Sequence, residues 1–123
     1  MSRIHHVVLR GDREMAGYLV QLANKNGGYG FNYLHEEVLT KNSVDELTKD
    51  IKRVSVTKKP LGNAVITPLH CAAINPNHEI LDHLLKICPE HAIPDQNMRK
   101  PIHYAACCDG TGPLKFLIEI GAD

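Results

Sequence analysis

Apolar residues recur along this chain in short blocks, spaced three and four apart, and each block is closed by a turn signal. The clearest block runs from His78 to Ile87, with Ile80, Leu81, Leu84 and Leu85 on one helical face. Another runs from Gly112 to Ile120, with Pro113 near its start and Gly121 placed to end it as a helix C-cap glycine. Ahead of each stands a shorter run opened by proline, Pro68 to Ala73 and Pro101 to Ala106. Proline suits the first helical turn, because the N–H it lacks has no intrahelical partner there. The paired alanines of these runs let a neighbouring helix lie flush. The pattern predicts a short helix, a turn and a longer helix, twice over. Between the two units, Cys88 to Arg99 carries Pro89, Pro94, Asp95 and Asn97 and reads as a turn or hairpin.

The two units are copies of one another. Thr67-Pro68-Leu69-His70-Cys71-Ala72-Ala73 returns as Lys100-Pro101-Ile102-His103-Tyr104-Ala105-Ala106 at an offset of 33 residues. Downstream, Leu81 returns as Leu114, Leu84 as Leu117 and Leu85 as Ile118. A helix pair of this size cannot bury its apolar face alone and must stack on another.

Two degraded copies lie upstream. Ile4-His5 starts one, with Val8 and Leu9, followed by Glu14 to Ala23 with Met15, Tyr18, Leu19 and Leu22 at helical spacing. Leu34-His35 starts the other, over Leu34 to Thr40, followed by a predicted helix from Val44 to Val54 with Val44, Leu47, Ile51 and Val54 on one face. The histidines His5, His35, His70 and His103 are separated by 30, 35 and 33 residues, as insertions between stacked units allow. Gly27 to Gly30 and Thr57 to Ala64 read as the connecting turns.

These residues resemble the ankyrin repeat family, whose period of 33 and Thr-Pro-Leu-His-x-Ala signature are matched outright by Thr67 to Ala73. Gly121-Ala122-Asp123 is similar to the way that family closes a repeat. The resemblance covers residues 63–123 closely and residues 1–62 as degenerate copies. It implies an all-α ankyrin-repeat solenoid of stacked helix-turn-helix units with hairpin-like loops. The repeats fall at about 1–31, 32–62, 63–96 and 97–123, in a single domain. The last is cut short, which gives the expectation that the chain is a fragment of a longer protein. Three positions depart from the family pattern. Lys100 replaces the signature threonine, Val65 and Met98 stand at the hairpin glycine position, and Cys88 stands where a glycine usually ends the second helix.

By the same resemblance, Thr67, Pro68, Leu69, His70, Ala72 and Ala73, with Pro101, Ile102, His103, Ala105 and Ala106, are structural signature residues. The histidine of each signature is expected to bridge backbone groups of neighbouring repeats, with His5 and His35 doing so in the weaker copies. The short helices and hairpin tips are expected to form a concave binding wall. Carried over from the matched repeats, the candidate contact residues are Cys71, Ile74 and Asn75 on one short helix, and Tyr104, Cys107 and Cys108 one repeat later. Val65, Gln96, Asn97, Met98 and Arg99 join them at the hairpin tips.

Composition narrows the functional classes. Fourteen basic and fourteen acidic residues give a formal charge of zero, against a nucleic-acid partner, which calls for a basic patch. No apolar stretch reaches the roughly 18–20 residues of a membrane span. The four cysteines, Cys71, Cys88, Cys107 and Cys108, form no Cys-x-x-Cys pair and read as reduced thiols of an intracellular protein, cytoplasmic or nuclear. Cys107 and Cys108 are adjacent, so their side chains diverge on a helix and do not readily share one tetrahedral zinc. There is no Gly-x-Ser-x-Gly, no phosphate-binding glycine loop and no His-Glu-x-x-His; no cofactor, metal or catalytic residue is expected. Lys49, Lys52, Arg53, Lys58 and Lys59 form a basic stretch that reads as a solvated face.

The reading that follows is a non-catalytic, monomeric module that binds another protein on its concave helix and hairpin face. An alternative is a regulatory or targeting segment of a larger multidomain enzyme, for example an ADP-ribosyltransferase of the tankyrase type, although nothing in these residues selects that chemistry. A cysteine-based redox or zinc sensor is the third reading.

Overall fold

A computed structural model of the chain describes residues 3–26, 31–58, 66–95, 97–107 and 111–121. The expected turn at Gly27 to Gly30, and most of the one at Thr57 to Ala64, lie outside the described residues. The described residues form α-helices α1 (Arg3–Leu9), α2 (Arg13–Lys25), α3 (Tyr33–Thr40), α4 (Arg53–Val56), α5 (Pro68–Ala72), α6 (His78–Ile87), α7 (Pro101–Ala105) and α8 (Gly112–Glu119). A 3-10 turn covers Val44–Glu46, and no strand occurs among the described residues.

Local signals start α2, α3, α5, α6, α7 and α8. Asn77 caps α6 by accepting the Glu79 N–H, and Asp12 caps α2 by accepting the Met15 N–H. Prolines open α5, α7 and α8 at their first or second position. Gly121 follows α8 with φ of +82°, the left-handed conformation expected of its terminator. The apolar face read from His78 to Ile87 is the buried one: Ile80, Leu81, Leu84 and Leu85 all enter the core. One continuous cluster runs from Val7 and Val8 through Leu34, Val38, Leu69 and Leu84 to Tyr104 and Leu117.

Neighbouring units stack through their short helices, α3 on α5 and α5 on α7. The long helix α2 lies along α3, and the fit is close: a Cβ on Gly17 would come within 3.0 Å of the Thr40 methyl. Arg13 locks this contact. Its Nε donates to the Leu39 carbonyl at 2.8 Å, and its Nη2 donates to the Lys41 carbonyl at 2.7 Å and to Asn42 Oδ1 at 2.8 Å. Helix α1 packs on α2 and also reaches α7.

The helix predicted from Val44 to Val54 does not form. In a helix the Thr48 N–H would bond the Val44 carbonyl, but Glu37 captures it. Oε1 of Glu37 accepts the Thr48 N–H at 2.7 Å and its Oε2 accepts the Thr48 hydroxyl at 2.6 Å. The Leu47 N–H closes a tighter turn on Val44, and Leu47 itself is extended, with ψ of 157°. Of the predicted face, Leu47 is buried but Val54 is 73% exposed, because α4 is a separate short turn. A side chain competing for a backbone donor is the mechanism, and it acts across eleven residues, where a periodicity argument does not see it.

Candidate interaction surface

The signature histidines build a repeated circuit. At the start of α5, the Thr67 N–H donates to His70 Nδ1 at 3.1 Å. That leaves Nε2 as the protonated nitrogen, donating to the Arg99 carbonyl at 3.2 Å in the next unit. At the start of α3 the same circuit is made with an asparagine cap. The Asn32 N–H donates to His35 Nδ1 at 3.1 Å, and His35 Nε2 donates to the Ile66 carbonyl at 3.0 Å. Asn32 Oδ1 accepts the Leu34 and His35 N–H groups in return, a complete capping box. Each histidine thus closes its own helix start and holds the next unit's approach strand to it. Burial drives the His35 pKa down to about 4, and the nearby His70 and Lys58 charges add to this against the opposing bond to Ile66.

The third circuit is incomplete in a way the sequence foresaw. The Lys100 N–H donates to His103 Nδ1 at 2.9 Å, but a lysine ammonium has no lone pair to cap the helix. His103 is exposed, whereas His35 and His70 are buried. The side chain of His5 lies outside the described residues.

The hairpin before α7 is organised by Asp95, a residue the sequence reading marked only as part of a turn. Its Oδ1 accepts the Asn97 and Arg99 N–H groups, each at 2.8 Å, and its Oδ2 accepts the Tyr104 hydroxyl. Its own N–H donates to the Arg99 carbonyl at 2.8 Å. Met98, at the family's glycine position, is held at φ of +64° with its side chain 75% exposed. Left-handed backbone costs a residue with a Cβ about 1–2 kcal/mol.

The expected contact residues divide sharply. Asn97, Met98 and Cys107 are exposed and Arg99 is half-buried. Val65, Gln96 and Cys108 lie outside the described residues. Cys71, Ile74, Asn75 and Tyr104, expected on the wall, are buried, which corrects their placement as available contacts. Cys71 and Tyr104 follow the signature histidine and point into the stack, where the Tyr104 ring lies 4.8 Å from His70 and its hydroxyl holds Asp95. Burial raises both the Cys71 thiol and the Tyr104 phenol far above their usual pKa, so both stay protonated. Asn75 bridges units, donating through Nδ2 to the Val38 and Lys41 carbonyls at 2.9 Å each. The Arg99 Nη1 is buried and has no hydrogen-bond partner among the described residues.

The signature residues differ in burial between the two copies. Thr67, Leu69, Ala72, Ala73, Pro101 and Ala105 are buried, as is Pro68, while Ile102 is half-buried and Ala106 exposed. Cys71, Cys88 and Cys107 are free thiols. No cluster of three metal-binding side chains occurs among the described residues, and no helix among them is long and apolar enough to cross a membrane. The sequence reading missed Arg13, Asn32 and Glu37. Of these, only Asn32 had a local signal, a capping residue three positions before a signature histidine.

A histidine circuit handed from unit to unit, with short proline-opened helices stacked along one side, defines an all-α ankyrin-type solenoid. Residues 66–92 match the ankyrin repeat family, and the chain has the all-α ankyrin-type fold. Ankyrin repeats are protein-interaction modules without chemistry of their own, and that is the class of this chain. A particular relative is poly [ADP-ribose] polymerase tankyrase of Caenorhabditis elegans, 37% identical over 124 aligned positions. The match takes in 95% of this chain and 5% of that relative, so the chain spans a small part of the relative's length.

Proposed function

We propose that the chain binds a protein partner through the pinned hairpin and the adjoining end of α7, with Asn97, Met98, Arg99 and Cys107 in contact. The observation that carries this is Met98, an exposed apolar side chain on a left-handed backbone that Asp95 holds in place. Val65, Gln96 and Cys108 belong to the same wall by their place in the repeat. Tyr104 supports it from beneath, with its hydroxyl on Asp95. Residues 1–62 serve as degenerate repeats of the same domain. The module works as a monomer inside the cell, where its thiols stay reduced, and its balanced charge suits a protein partner better than nucleic acid.

A second reading is favoured by the likeness to the polymerase named above: the chain acts as a targeting segment of a longer, catalytic protein. In that case the bound partner is what such a protein is directed to.

The experiment is affinity capture with the wild-type chain and a Met98→Glu/Cys107→Glu variant, both checked for equal melting. Both positions are exposed, so the substitutions leave the core alone. Loss of a captured protein from the variant supports the surface; the same proteins on both place the site elsewhere.

A further inference from the structure

Helix α1 is not seated like the short helices downstream of it. Those helices stack in order, α3 on α5 and α5 on α7, but α1 reaches across to α7. The turn that follows it and the first residues of α2, Gly11 to Glu14, line a cleft of about 360 Å³ with Ile74 and Pro76. Ile74 follows the paired alanines of its unit, at the position that Cys107 takes one repeat later. Cys107 is exposed; Ile74 is 1% exposed. Ile74 belongs to a unit stacked on both sides and Cys107 to the last described one, so what marks α1 is its contact with α7.

Helix α1 itself is weakly built. Helix α1 has seven residues, no acidic residue in its first turn, and the β-branched Ile4, Val7 and Val8 among them. Its hold on the molecule is its apolar face: Val7 and Val8 are buried and Ile4 is half-buried, at i, i+3 and i+4. A hinge follows at Gly11, with φ of +78°. Beyond the hinge, α2 is fastened separately, by the Asp12 cap and by the three Arg13 bonds to the end of α3. Lifting α1 therefore breaks no described bond of α2 to α3.

We propose that α1 is a displaceable internal occupant of the inner face beside α7, and that this face accepts a partner's short amphipathic helix with aliphatic residues at i, i+3 and i+4. The inference rests on the interaction-module reading, and extends it to a surface that the folded chain keeps covered. A partner helix competes with α1 for the face, so affinity depends on how often α1 is off.

The test uses the full chain carrying Val7→Asp/Val8→Asp and a fluorescent peptide with the sequence of residues 1–12. The variant keeps a cooperative melt, and the peptide binds it saturably, roughly tenfold or more tighter than it binds the wild type. A folded variant that binds the peptide no better than the wild type overturns the proposal, as does a variant that loses cooperative folding. Native-state hydrogen exchange of the wild type is an independent check. The amides of α1 exchange through a local opening while those of α5 and α6 stay protected; equal protection of α1, α5 and α6 also overturns it. Neither measurement involves Met98, so failure of the hairpin surface and failure of the covered face are distinguishable.

Discussion

Acidification from pH 7 to pH 4 takes His35 through the range in which the unfolded chain binds a proton and the folded chain does not. The ordinary histidine value is 6.5, and burial lowers that of His35 to about 4. A lowered value for a base means that folding favours the neutral ring. Its contribution is therefore complete above pH 6.5 and is lost as pH falls towards 4, below which both states are protonated. The loss runs at about 1.4 kcal/mol per pH unit, or about 3 kcal/mol across the window. The ring sits among fixed partners: Nδ1 lies 3.1 Å from the Asn32 N–H and 2.9 Å from Asn32 Oδ1. Against a total of about 5–15 kcal/mol for a domain, this is a large share. The assay is urea denaturation followed by circular dichroism at several pH values between 7.5 and 4, for the wild type and His35→Gln. Glutamine does not titrate, so the difference between the two curves isolates the ring from the other histidines and the carboxylates. The wild-type stability should fall more steeply than that of the variant between pH 6.5 and 4. Parallel curves would show that His35 is not held neutral by its site.

Three further outcomes follow from the repeat geometry. Met98→Gly should raise stability by about 0.5–1 kcal/mol, read as a higher urea midpoint, because glycine relieves the left-handed strain at a side chain that packs on little; a lower midpoint would show that the methionine has a packing role. Lys100→Thr should add about 0.5–1 kcal/mol by restoring the missing cap of α7, read as a higher melting temperature. Asn75→Ala should cost about 1–3 kcal/mol, since it takes away the Asn75 bond to the Val38 carbonyl and leaves the Lys41 carbonyl with its Arg13 bond alone; a melt unchanged from wild type would remove Asn75 from the stacking scaffold.

How much of this molecule could be read from its residues depends on how local each determinant is. The bounds of α6, the left-handed Gly121 and the missing cap at Lys100 were legible because each rests on signals within a few positions. The histidine bridges were legible through the repeat: a signature at a fixed period implies a neighbour at a fixed distance, and His35 and His70 both find their carbonyls there. The 44–54 segment was misread because Glu37, eleven positions before Thr48, takes the backbone donor that a helix would need. The contact wall was only partly legible. Cys71 and Tyr104 occupy equivalent positions, and periodicity puts them on a short helix without saying which side of it the stack covers.

The sequence by itself determined the repeating unit, its period, its helix starts and the histidines that join one unit to the next, because turns, caps and amphipathic spacing act within a few residues. The tertiary structure alone decided which faces remain open. Burial is a property of what lies opposite, and the residues that share a cleft with Ile74 come from Gly11 to Glu14, sixty or more positions earlier in the chain.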